Sequence, residues 1–85
     1  MRLILVMTNR GINPQHVSEI IKDTLRNMKL TFQKVTVFLE GVRIDGLSST
    51  PEKLVTALSI NHGMDLRARV YEVDGTITLV FEFRD

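Results

Sequence analysis

Apolar residues fall along this chain in short runs whose spacing switches between that of strands and that of helices. Arg2–Thr8 (RLILVMT) is aliphatic almost throughout, which predicts a strand apolar on both faces and central in a sheet. Asn13-Pro14 opens a helix, because Asn caps well and Pro at the first helical position gives up no needed N–H. Val17, Ile20, Ile21, Leu25 and Met28 follow at helical spacing, with Glu19, Lys22, Asp23 and Arg26 on the solvated side. Lys34–Leu39 alternates as a strand with Val35, Val37 and Leu39 inward. A tight hairpin at Glu40-Gly41 then keeps Val42 and Ile44 on the same face, opposite Leu39 and Val37.

Ser48-Ser49-Thr50-Pro51 repeats the helix-start signature. Leu54, Ala57, Leu58 and Asn61 form its stripe, and Gly63 supplies a left-handed C-cap. Asp74-Gly75, between the alternating runs 66–73 and 76–83, predicts a two-residue hairpin. That closure sets Val70 opposite Leu79, Ala68 opposite Phe81 and Leu66 opposite Phe83 in the core. On the other face it sets Arg67 opposite Glu82, Arg69 opposite Val80 and Tyr71 opposite Thr78. The order is βαββαββ: an α+β open-faced sandwich with two helices on one face of a mainly antiparallel sheet.

Composition narrows the function classes. Eighty-five residues make one domain, 1–85, with a single modest core. Eleven Lys and Arg against ten Asp and Glu leave +1, which argues against a dedicated nucleic-acid or membrane-surface binder. The absence of cysteine removes disulfides, thiolate metal sites and Cys nucleophiles, and fits a cytoplasmic location. The run Leu3–Met7 is too short for a membrane span and lacks the flanks of a signal peptide.

Candidate chemistry is sparse. His16 and His62 are far apart in sequence and have no ligand partner at helical metal-site spacing, so neither a metal nor a cofactor is expected. His16 lies in the first turn of its helix and His62 in the last turn of the second, where it suits a capping role. The serines lack a nucleophile elbow, no glycine-rich phosphate loop is present, and Glu40 and Asp45 read as turn and edge residues. The uncovered sheet face is the richer surface. Phe38, Arg43, Arg67, Arg69, Tyr71 and Val80 are expected there. An interface rich in Arg and aromatics favours a protein partner or a homodimer, while the same interleaving permits single-stranded RNA. The long Arg stems also have a plainer use, covering the sheet against aggregation.

Three stretches carry a resemblance: Gly11-Ile12 before the first helix, Phe38-Leu39-Glu40, and Ala57-Leu58 with Gly63 and Leu66. From Asn9 onward their order resembles the histidine-containing phosphocarrier proteins of bacterial sugar transport. In that family a loop histidine is phosphorylated beside an arginine; the matching positions here are Asn13 and Gln15, with His16 where a proline stands. The resemblance therefore implies a degenerate carrier fold with phosphotransfer lost and protein docking at Asn13 and His16 retained. The family's regulatory serine falls near Ser49 or Thr50. The chain's last run is a strand where that family closes with a helix, and strand–helix alternation ending in a hairpin is similar also to the C-terminal half of bacterial initiation factor three. The expectation is a non-enzymatic interaction module that uses the sheet face or the first helix's N-terminus. Single-stranded RNA binding is the alternative.

Overall fold

A computed structural model describes residues 1–8, 13–71 and 74–84. The elements are β1 (Arg2–Met7), α1 (Pro14–Asn27), β2 (Lys34–Phe38), β3 (Gly41–Asp45), α2 (Pro51–His62), β4 (Met64–Tyr71) and β5 (Thr76–Phe83). The five strands form one sheet in the order β2-β3-β1-β5-β4. Three neighbour pairs are antiparallel, and the central pair, β1 with β5, is parallel. The class is α+β and the sheet is mixed.

Both helices begin where the sequence places them. The Asn13 side chain accepts from the Gln15 amide and Pro14 occupies the first turn of α1. Pro51 opens α2 in the same way, but Thr50 makes no side-chain cap bond there. The Ser48 hydroxyl instead accepts from the Thr31 amide and ties the α2 entry to the segment before β2. Gly63, at φ 63°, ends α2 in the left-handed conformation that glycine adopts without a Cβ penalty.

Leu3 and Leu5 of β1, Val42 and Ile44 of β3, and Leu79 and Phe81 of β5 are buried against Val17, Ile21 and Leu25 of α1 and Leu54 and Leu58 of α2. Each fully buried side chain of this size contributes about 1.5–3 kcal/mol. Met64 and the Leu47 connection close the cluster.

Both hairpin registers differ from the sequence expectation. The first turn falls at Leu39-Glu40, so Val37 pairs with Val42, Val35 with Ile44 and Phe38 with Gly41. The slip is two residues, so the faces are preserved, but Leu39 sits in the turn at 90% exposure and not in the core. Gly41 is needed there because a Cβ would meet the Leu5 carbonyl oxygen of β1.

The second hairpin is corrected by one residue. Val70 pairs with Thr78, Tyr71 with Ile77 and Arg69 with Leu79; a bulge between Leu66 and Ala68 then sets Leu66 opposite Phe81 and Met64 opposite Phe83. An odd shift turns side chains over. Ala68 and Val70 leave the core and face outward, while Arg69 and Tyr71 turn to the helix side. Residues 72–73 lie outside the described residues, and Gly75 keeps a positive φ of 83°.

The two glycines separate two mechanisms. Gly75→Ala meets no neighbouring atom among the described residues, so the left-handed backbone is what penalises it, by about 1–2 kcal/mol in urea unfolding. Gly41→Ala drives a Cβ into backbone and is expected to lose on the order of 3 kcal/mol. Equal losses would contradict the assigned geometry.

Candidate protein-contact face

The sheet face opposite the helices takes its residues from strand alternation. Ile4 and Val6 of β1 occupy its centre, with Thr78 and Val80 beside them on β5 and Val70 and Ala68 beyond on β4. On the other flank Arg43 pairs with Ile4, and Thr36 and Phe38 stand across from Arg43 and Gly41. One transverse row reads Phe38, Gly41, Val6, Val80, Ala68 and carries no charge. Ile4, Val6, Thr36, Phe38 and Arg43 line a shallow cleft of about 300 Å³ on this face. The Thr36 hydroxyl is buried there without a hydrogen-bond partner among the described residues.

Apart from the Arg43 side chain at the cleft, charge lies toward the two ends of this face. At one end the Arg2 and Arg43 Nε atoms donate to the two oxygens of Asp45, at 2.8 and 3.1 Å. Asp45 is held below the usual carboxylate range, chiefly by the Arg2 hydrogen bond. At the other end Arg67 pairs with Glu82 at 3.1 Å and Arg84 with Asp65. The bulge lets Arg67 reach Glu82 although Asp65, not Arg67, stands opposite it in the ladder.

Of the residues expected on this face, Phe38, Arg43, Arg67 and Val80 are there. Arg69 and Tyr71 are not. Arg69 donates to Glu52 of α2 at 2.7 Å and to the Tyr71 hydroxyl at 2.8 Å, with its guanidinium 5.9 Å from the Tyr71 ring centre. Glu52 is pushed down by the Arg69 hydrogen bond. This cluster sits on the helix side, at the rim of the core. Asn13 and His16 are exposed at the start of α1, away from the sheet face, with the Asn13 side chain engaged as the cap. Gly11-Ile12 of the phosphocarrier-like stretch lies outside the described residues.

Sequence reasoning missed Ile4 and Val6 as the middle of the surface, although a strand apolar on both sides already carried that signal. It missed Ala68 and Val70 because nothing local announces the bulge. Among the described residues, no group of three or more His, Asp or Glu side chains is placed to hold a metal, and no helix is long and apolar enough to cross a membrane. No protein-family model matches the chain, and neither a curated protein nor a solved structure matches it.

Hydrogen bonds to carboxylates set an acid response, from arginines at Asp45, Glu52 and Asp65 and from the Thr76 amide at Asp74. Asp45, Glu52, Asp65 and Asp74 all have folded-state values lowered from their ordinary 3.8 or 4.5. Their contribution is complete above those ordinary values and is lost as pH falls through the lower folded ones. The melting temperature is therefore expected to hold above about pH 5 and to fall below about pH 4. Asp45→Asn should melt lower at pH 7 and show a shallower acid decline. An unchanged acid decline in that variant would show that Asp45 has no part in it.

Proposed function

We propose that this chain is a non-enzymatic interaction module whose open sheet face receives a protein partner. The partner surface that fits is an apolar side chain seated in the cleft beside Phe38, with an acidic group facing Arg43. One observation carries the reading: an uncharged row runs from Phe38 to Ala68 across the face, with Arg43 beside it at the cleft and Arg2, Lys34, Asp45, Arg67 and Glu82 toward its ends. Interfaces have this plan, with charge depleted from the core and placed at the rim. Arg43 uses its Nε on Asp45, which leaves its terminal nitrogens to meet a carboxylate.

Nucleic acid fits the same face less well. The described residues leave one aromatic ring, Phe38, on it, because Tyr71 lies on the helix side with Arg69. Arg2, Arg67 and Arg84 are each paired with a carboxylate, which leaves the terminal nitrogens of Arg43 and the Lys34 ammonium as the cations that could meet phosphate there. Stacking platforms need successive rings, and affinity for phosphates needs cations free to displace counterions.

A protein captured from the source lysate, then purified, should bind in a one-to-one titration. Phe38→Ala should weaken that binding by about 2 kcal/mol, as a buried aromatic anchor does. Val80→Thr should weaken it as well, and His16→Ala should leave it unchanged. Loss on His16→Ala alone would move the contact to the start of α1. Submicromolar, steeply salt-dependent binding of a single-stranded RNA oligomer would replace this reading with the nucleic-acid one.

A further inference from the structure

The sheet has two edges, and they are unlike. β4 is long, bulged at Arg67, and carries Asp65, Arg67 and Arg69, each held in an ion pair. Bulges and charges of this kind blunt an edge against pairing. β2 (KVTVF) has an unbroken register, no proline and one charge, Lys34.

The direction of its backbone groups follows from the neighbouring ladder. The Met7 amide donates to the Glu40 carbonyl. Antiparallel alternation then turns the backbone groups of Val42 and Ile44 toward β1, and those of Gly41, Arg43 and Asp45 toward β2. Phe38, Thr36 and Lys34 face these partners. Val35 and Val37 therefore turn their N–H and C=O groups away from the sheet, and Val37 is among the exposed large apolar residues.

We propose that the β2 edge pairs antiparallel with β2 of a second copy of this chain, about a two-fold axis at Thr36. This goes beyond the open-face reading and does not depend on it. An antiparallel pair needs the outward residues opposite each other, and pairing Val35 with the partner's Val37 achieves this twice, giving four backbone hydrogen bonds. This is the register that pairs all five residues of the strand. It also sets Lys34 beside the partner's Phe38 and not beside a second lysine, a cation next to an aromatic ring. Thr36 meets the partner's Thr36 as a non-hydrogen-bonded pair with side chains close, where threonines can hydrogen-bond across strands. The Thr36 hydroxyl has no hydrogen-bond partner among the described residues and is covered by its own chain, so it meets the partner's threonine only after rotating about Cα–Cβ. The result is a ten-stranded sheet with two open faces side by side.

A five-residue strand pair falls in the class of weak association below ~1,200 Å², so the dimer should appear at high micromolar concentration. Sedimentation equilibrium from ~10 μM to ~1 mM should therefore show a monomer–dimer equilibrium. Amide exchange by NMR should show Val35 and Val37 exchanging fast at the dilute end and protected at the concentrated end. Thr36 and Phe38 should be protected throughout. Val37→Pro removes an outward donor at an edge position that tolerates proline. Thr36→Glu gains an attractive neighbour in Arg43 but opposes two carboxylates at the axis. Both should weaken the dimer at least tenfold, and Thr36→Glu keeps the test available if the proline variant does not fold. A monomer across the whole range would overturn the proposal. A dimer unchanged in the folded variants, with Val35 and Val37 still exchanging freely, would also overturn it and would place self-association elsewhere.

Discussion

The parallel pairing of β1 with β5 at the middle of the sheet is the constraint on which the rest depends. β1 is bonded on both sides, to β3 and to β5, so its odd residues Leu3 and Leu5 are sealed beneath the helices while Ile4 and Val6 reach the opposite face. A strand with aliphatic side chains on both surfaces needs a cover on both. The helices supply one. The second surface is left half-exposed, and its apolar character follows from where β1 sits rather than from any cluster of specialised residues.

The β4 bulge decides what else joins that surface. α2 packs over the beginning of β4, where Met64 and Leu66 enter the core. Beyond the bulge the helix side of β4 reaches the rim, and residues with apolar stems and polar tips suit a rim better than Val70 or Ala68 would. Arg69 and Tyr71 take those positions and gain Glu52. Ala68 and Val70 pass to the open side, which becomes smoother and less charged there. The same one-residue insertion thus stabilises a polar cluster on one face and extends an apolar row on the other.

Much of the fold was legible because its signals are local. The Asn13 cap, the prolines at both helix starts and the Gly63 C-cap each declare a boundary within a few residues. Strand identity was equally local in Arg2–Met7 and Thr76–Phe83. Register was not. Glu40-Gly41 suggested a turn one residue late, because the need for glycine at position 41 comes from the approach of the Leu5 carbonyl, which is distant in sequence. Asp74-Gly75 marked the second turn, but no local residue pattern marks the register shift between Leu66 and Ala68. The candidate surface was legible to the same degree. Phe38, Arg43 and Val80 follow from alternation alone, while Arg69 and Tyr71 were set on the wrong face by an error of one residue.

This register leaves the open face apolar, and cross-strand proton contacts between β4 and β5 report it without an intermediate step. NMR contacts are expected to pair Val70 with Thr78 and Tyr71 with Ile77, with the Arg69 side chain close to Glu52. Contacts pairing Val70 with Leu79 and Arg69 with Val80 would return Arg69 and Tyr71 to the open face and contradict it.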